Sequence, residues 1–509
     1  MSGKVFLVGA GPGDEGLITV KGLEAIKEAD VILYDRLANP SLLEYRKESA
    51  ELFYVGKKAK HHYKTQDQIN QLLIEEAKKG KIVTRLKGGD PFIYGRGGEE
   101  GEELVKAGVD FEVVPGITSP IAVPAYAGIP LTHRDYNSSV AFVTGHEDPN
   151  KDEPSVDWQQ LATSVGNLVI LMGVGNLPKI VPELIAGGRN PQTPVALIRW
   201  GTRPEQKTLV GTLENIVEKV ENDNFKPPAI IVVGEVVNLR EDLNWFENKA
   251  LFSKTIVVTR PTKQAKGFYQ ALLKEGAEVI KAPAIEIAPP VDYTNLDHSL
   301  EQLSTYDWII FTSINGVKAV MKRLFELGKD VRSLAGVKIS AIGPKTAAEV
   351  ESYGLRVDYI PDSYLSESIL SGFEGEDISN KRFLLPRADI AREVLIEGLK
   401  DLGAKVNNVV AYRTIPGSGN ENLIRRLSEG EVDLLTFTSS STVHNFIKYL
   451  GADYEELVSD VKVACIGPIT AQTAREYNLN IEIIAKEYTI EGLLAAIKAY
   501  YSKKHKFDN

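Results

Sequence analysis

The chain has a single cysteine, Cys465, among 509 residues. An internal disulfide is therefore impossible, and a cysteine-rich zinc site lacks its ligands. Positive charge is also scarce: 59 lysines and arginines face 69 acids, a formal charge of −10 at pH 7. That balance argues against nucleic acid as the main partner, although local basic clusters can still collect an anion. No apolar run approaches the roughly 20 residues of a membrane helix. Met1-Ser2-Gly3-Lys4-Val5 runs straight into strand-like sequence without an apolar signal region. The expectation is a cytoplasmic protein without a membrane partner.

The chain is 43% hydrophobic and 25% charged, a globular composition. Its length calls for roughly two to four domains, each with its own core. The densest local signal is Arg85–Glu100. An apolar strand, Lys81–Leu86, runs into Gly88-Gly89-Asp90-Pro91 and then Gly95, Gly97 and Gly98. Glycines that dense after a strand let backbone approach a ligand, because no Cβ intervenes. Pro91 biases Asp90 towards an extended backbone, and Arg85, Lys87 and Arg96 bring positive charge to the loop.

Earlier in the chain, Val5–Val8 reads as a buried strand and Gly9-Ala10-Gly11-Pro12-Gly13-Asp14 as a loop. A helix is expected from Leu17 to Ala29, with Leu17, Val20, Leu23 and Ile26 on one face. The strand Val31–Tyr34 follows and ends at Asp35-Arg36. Strand, glycine loop, helix, strand and acid suggest a dinucleotide fold. The spacing argues against it: counted from Gly9, Asp14 stands where the third glycine belongs, and Pro12 lacks an N–H for a pyrophosphate.

Val5–Gly13, Tyr34-Asp35-Arg36-Leu37, Val55-Gly56-Lys57-Lys58, Arg85–Glu100, Val114–Ser119, Ala127–Arg134, Thr144-Gly145-His146 and Pro228–Val236 occur in that order. Together they resemble uroporphyrinogen-III C-methyltransferase, of the tetrapyrrole methylase family, over roughly residues 3–245. The resemblance implies an α/β fold of two lobes and S-adenosylmethionine as methyl donor. Carried over by position, the donor contacts are Pro12, Gly88, Gly89, Asp90, Ile93, Thr118, Ser119, Met172 and Gly201. Asp35 and Lys57 match the proton-transfer pair. A carboxylate and a lysine suit the loss of a proton that follows attack of a pyrrole carbon on a methyl group. The implied substrate, uroporphyrinogen III, is a polycarboxylate, and Arg85, Lys87, Arg96, His133 and Arg134 are its expected cationic contacts. The chain departs from the usual pattern at Lys58 and Lys60, where arginine and glycine are common, and at Glu15-Gly16. Such methylases are typically dimeric, so the resemblance also implies a homodimer through the first half.

Near Leu239–Asn248 the pattern turns charged and loses its period, which places a boundary near residue 250. Beyond it the chain repeats itself. Lys254–Arg260 is echoed by Lys381–Arg387, Asp307–Ser313 by Asp433–Ser439, and Ala341–Ala347 by Cys465–Ala471, at offsets of 124–127 residues. A near-constant offset means two copies of one βα unit, each long enough for a doubly wound parallel sheet. Each copy has a strand ending in hydroxyls and a strand–Gly-Pro–Thr–helix junction, a site suited to anions. The repeats resemble uroporphyrinogen-III synthase over roughly residues 253–500. The resemblance implies closure of hydroxymethylbilane with inversion of one ring, without a cofactor. It puts Tyr412 in the place of the general acid and Thr346, Ser439 and Thr470 at the substrate. It also implies interleaved lobes, lobe one being 253–288 with 415–509 and lobe two 289–414, crossed near Pro289-Pro290.

The expected protein is thus α/β throughout: a methylase over 1–248 joined to a bilobed synthase over 253–509. It would make uroporphyrinogen III and methylate it twice to precorrin-2, with no metal. The alternative keeps the methylase and makes the second half a non-catalytic sensor of an anionic ligand.

Overall fold

The computed structural model describes residues 3–56, 64–146, 156–362, 366–389, 393–417, 420 and 422–504. The chain divides into two compact units, 1–254 with 271–278 and 501–509, and 255–270 with 279–500. Among the described residues four five-stranded sheets carry the architecture. Among the described residues no helix is long and apolar enough to cross a membrane, and no cluster of side chains suits a metal ion.

The first sheet comprises β1 (Lys4–Gly9), β2 (Val31–Tyr34), β3 (Glu51–Tyr54), β4 (Ile82–Lys87) and β5 (Asp110–Val114), in the order β3-β2-β4-β1-β5. All its pairings are parallel. A parallel sheet is covered on both faces, so its strands read as continuous apolar runs. Val5, Leu7, Val31 and Leu33 fill one core, and Val8, Ile32 and Leu86 fill the other.

The first helix differs from expectation. It spans Val20–Glu28, capped by the Thr19 hydroxyl, which accepts from Gly22 N at 3.0 Å. A single 3-10 turn, Glu15–Leu17, precedes it. Val20 is exposed, and the buried face is Gly22, Ala25 and Ile26. The extended residues Ile18 and Thr19 break the period on which the longer helix rested.

The second sheet comprises β6 (Val140–Thr144), β7 (Asn167–Leu171), β8 (Pro194–Arg199), β9 (Lys207–Thr212) and β10 (Ala229–Val233), in the order β6-β7-β10-β8-β9. Only the β6–β7 pairing is parallel there. The helix Ser119–Tyr126 packs Val123, and its C-cap Ala127, against one face, beside Val169, Ile198 and Val232.

The second unit holds two sheets built from the repeats. One comprises β11 (Thr255–Val258), β12 (Glu278–Lys281), β18 (Leu434–Phe437), β19 (Lys462–Cys465) and β20 (Ile481–Ile484), ordered β12-β11-β18-β19-β20. The other comprises β13 (Ile285–Ala288), β14 (Trp308–Phe311), β15 (Lys338–Ala341), β16 (Arg382–Ala388) and β17 (Lys405–Pro416), ordered β13-β17-β16-β14-β15. The chain thus leaves the first of these sheets between Lys281 and Ile285, ahead of the expected crossing at Pro289-Pro290. β17 runs twelve residues. Its first part pairs parallel with β16, and its last four residues pair antiparallel with β13. Incoming and outgoing connections run side by side, so the second sheet carries one antiparallel edge pair rather than being parallel throughout. β13 therefore belongs with lobe two, and that lobe reaches Pro416.

Candidate active sites

Both glycine loops of the first half lie at the carboxyl end of the parallel sheet, where such folds place their ligands. Gly11 N donates to Gly89 O at 3.2 Å and Gly89 N to Gly11 O at 2.7 Å. Gly89 is left-handed, with φ 71°, and a Cβ on Gly88 would fall 2.5 Å from the Leu37 Cβ. A side chain at Gly88 would have to displace Leu37, whereas one at Gly89 has room but would be strained by the left-handed backbone. The Asp90 carboxylate shapes this loop. One oxygen accepts from Phe92 N at 2.7 Å and Ile93 N at 3.1 Å, and the other accepts from Gly116 N at 3.0 Å.

These loops form one wall of a cleft of about 500 Å³, and Leu171, Met172, Trp200, Gly201, Pro228 and Ala229 form the opposite wall. Of the expected donor contacts, Pro12, Gly88, Gly89, Ile93, Ser119, Met172 and Gly201 line it. Asp90 and Thr118 do not. Thr118 is buried at the start of the helix Ser119–Tyr126. Met172 is half exposed in a left-handed conformation, φ 55°, where a β-sheet core filler would be extended and covered. The cleft can therefore hold a ligand against backbone edges and one thioether, which fits a small amphipathic donor.

Asp35 follows β2 and turns the chain, its Oδ1 accepting from Leu37 N at 3.0 Å and Ala38 N at 3.2 Å. Arg36 and Leu37 line the cleft. The Asp35 Oδ2 lies 3.5 Å from Arg85 Nη2. Lys57 lies outside the described residues.

Arg85 and Lys87 are buried inside the first sheet rather than exposed in the cleft. They share one face of β4, each 4% exposed, and converge on Glu100, which is fully buried. Glu100 Oε1 accepts from Lys87 Nζ at 2.7 Å, Arg85 Nε at 3.3 Å and Gln66 Nε2 at 3.2 Å. A charge inside a parallel sheet must be paired or neutralised, and Glu100 supplies the pairing. Burial, reinforced by the Arg85 charge, still pushes the Lys87 amine below its ordinary value. Arg96 is exposed and pairs with Glu99 at 3.0 Å. His133 Nδ1 accepts from Asp135 N at 3.2 Å, its ring packs on Tyr136, and Arg134 is exposed. None of Arg96, His133 and Arg134 lines the donor cleft.

In the second unit Tyr412 is 9% exposed, and its hydroxyl lies 3.0 Å from Ser313 Oγ. Ser313 caps the helix Ile314–Glu326, accepting from Gly316 N at 3.1 Å. Burial pushes the phenol pKa up, while hydrogen bonds from Ser313 and Asn315 pull the other way. Ser313 was not among the expected site residues, although its repeat partner Ser439 was. Ser439 caps Ser440–Leu450 with nearly the same backbone, φ −166° and ψ 159° against −164° and 155°. Its hydroxyl accepts from Thr442 N at 3.3 Å and lies 2.9 Å from Ser441 Oγ. Thr346 and Thr470 sit in the first turns of Pro344–Glu351 and Pro468–Glu476, each 5% exposed. Pro344 and Pro468 bring no N–H to those turns and Thr346 N donates to Gly343 O at 3.1 Å, so the other first-turn N–H groups are the polar edge left to an anion.

Residues 4–217 match the family of tetrapyrrole (corrin/porphyrin) methylases, and residues 267–495 match uroporphyrinogen-III synthase HemD. A porphyrin biosynthesis protein HemD from Ruminiclostridium josui is 38% identical over 494 residues, covering 97% of each chain. An S-adenosyl-L-methionine-dependent uroporphyrinogen III methyltransferase from Methanosarcina barkeri is 54% identical over 241 residues, 47% of this chain and 94% of that one. The crystal structure of a uroporphyrin-III C-methyltransferase from Thermus thermophilus is 40% identical and covers 46% of this chain and 99% of its own, with a TM-score of 0.40.

Proposed function

The chain belongs to the tetrapyrrole methylases over its first half and to the uroporphyrinogen-III synthases over its second, and from that premise we propose that it performs two successive steps. The second half closes hydroxymethylbilane to uroporphyrinogen III with inversion of one ring. The first half methylates that product twice, giving precorrin-2. The division proposed is methylase over 1–248 and synthase over 253–509.

S-adenosylmethionine supplies an electrophilic methyl group when bound. The residues that fit it are the backbone edges at Gly88 and Gly89, with Met172 and Gly201 opposite. The acceptor carbon of an electron-rich pyrrole takes the methyl group, and a ring proton must then leave. Asp35 is the proposed acceptor of that proton and Lys57 its partner. The observation that carries this reading is the position of Asp35 at the cleft's rim, with Arg36 and Leu37 lining the cleft and Arg85 at 3.5 Å behind the carboxylate. The test is Asp35→Ala: binding of S-adenosylmethionine persists by calorimetry and methylation is lost. Unchanged turnover removes Asp35 from the mechanism.

In the synthase half the leaving hydroxyl of the linear precursor needs a proton, and Tyr412 is the proposed donor. Its burial keeps the phenol protonated at neutral pH, and Ser313 aims it. The helix starts at Gly343 and Gly467 offer backbone N–H groups to substrate carboxylates. A homodimer through the first half rests on the family resemblance alone. Light scattering on the full chain tests it.

A further inference from the structure

The two guanidinium groups in the wall of the donor cleft have no assigned task. Arg36 follows Asp35 on one side, and Arg203 comes from the turn between β8 and β9 on the other. Both lie over Trp200, with guanidinium carbons 5.9 and 5.0 Å from the ring centroid. Arg203 also reaches across to the first lobe. Its Nη2 donates to Leu37 O at 3.4 Å, and a Cβ on Gly13 would fall 2.8–2.9 Å from its Cγ and Nε.

Three observations show that this turn is built to present charge. Trp200 and Thr202 are both left-handed, φ 48° and 69°, in a short stretch where only Gly201 adopts such geometry freely. The turn is pinned: Thr202 Oγ1 accepts from Asp14 N at 3.0 Å, and Thr202 N donates to Gln206 Oε1 at 2.9 Å. Finally, no described residue lining the cleft is an acid, and the buried Nε of Arg203 has no hydrogen-bond partner. Burial holds the guanidinium below its ordinary value, with Glu205 as the nearby acid that opposes the shift.

We propose that Arg203 and Arg36, held on either side of Trp200, form a receptor for a carboxylate side chain of the methyl acceptor. This rests on the proposed methylase reading. S-adenosylmethionine carries a sulfonium and an ammonium against a single carboxylate, a net positive charge that two arginines disfavour. An acceptor bearing several carboxylates is the ligand they attract. The receptor fixes the acceptor's orientation over the cleft, so it sets which ring edge meets the methyl group.

The experiment uses the full chain and the variants Arg203→Gln, Arg203→Lys and Arg36→Gln. KM for uroporphyrinogen III is measured alongside the Kd for S-adenosylhomocysteine by calorimetry. Loss of one guanidinium–carboxylate pair raises KM about tenfold or more, whereas the Kd stays within about twofold. Arg203→Lys recovers part of the KM, since charge remains without the planar fork. Arg36→Gln approaches from the other lobe, so agreement between the two glutamine variants excludes a folding defect peculiar to one. An equal loss of S-adenosylhomocysteine affinity makes the pair a donor contact and overturns the proposal. An unchanged KM in both variants overturns it too. If the unaltered chain binds no S-adenosylhomocysteine, the methylase reading itself has failed.

Discussion

Removing the Glu100 carboxylate tests the buried network behind Asp35. Glu100 is fully buried, and its Oε1 takes hydrogen bonds from Lys87 and Arg85, both 4% exposed. In Glu100→Ala two cations stay inside the sheet, with Asp35, 3.5 Å from Arg85, as the remaining counter-charge. Breaking a buried pair by deleting one partner costs about 3–5 kcal/mol, most of it the penalty of the stranded charge. For a unit of about 250 residues, each kcal/mol moves the midpoint by roughly 2–4 °C, so the methylase transition falls by about 6–20 °C. Differential scanning calorimetry of the full chain reads this as a shift of one transition. The variant also changes the pH dependence. Lys87 already has a folded pKa below 10.5, so the unfolded state binds more protons between the two values and stability rises with pH there. Without Glu100, which favours the charged amine, that window widens downwards. A loss below about 1 kcal/mol, or a pH slope unchanged from the parent, refutes the reasoning.

Three further outcomes are expected. Tyr412→Phe slows uroporphyrinogen III formation by about tenfold or more, as loss of a general acid does; a rate within twofold of the parent assigns the site to orientation alone. Ser313→Ala removes a helix cap worth about 1 kcal/mol and a hydrogen bond that lowers the Tyr412 pKa. The alkaline limb of the synthase pH–rate profile therefore moves up, while Ser313→Thr restores it; a fixed limb makes Ser313 a cap only. Cys465 is fully buried, with its thiol pushed up to about 12 by burial, so a disulfide reagent labels it only after denaturant is added. Prompt labelling of the native chain contradicts that burial.

Much of this was legible because buried parallel strands read as apolar runs. Val5–Val8 and Val31–Tyr34 declared themselves in that way, and the near-constant repeat offset declared the two sheets of the second unit. The burial of Arg85 and Lys87 was not legible, for the converse reason. A charged residue in a strand reads as a surface, and nothing local shows that a glutamate thirteen residues after Lys87 folds back over it. Asp90 was read as a ligand acceptor, and its carboxylate also accepts from Phe92 N and Ile93 N of its own loop and from Gly116 N after β5. The signal was present, since Asp-Pro at the head of a glycine loop is also a turn former. The crossing near Pro289-Pro290 was taken from the family resemblance, not from a break in this chain's own pattern. The single Pro283 within Ala282–Ala284 lies where the chain changes sheets. Ser313 could have been found by carrying Ser439 back through the repeat. No sequence pattern would have shown its hydroxyl beside Tyr412, a contact across 99 positions.

The most direct test of two coupled activities is the product formed from hydroxymethylbilane by the full chain, with and without S-adenosylmethionine. The account predicts uroporphyrinogen III without the donor and its dimethylated derivative, precorrin-2, with it. Accumulation of only the uninverted isomer I, the product of unassisted closure, contradicts the account.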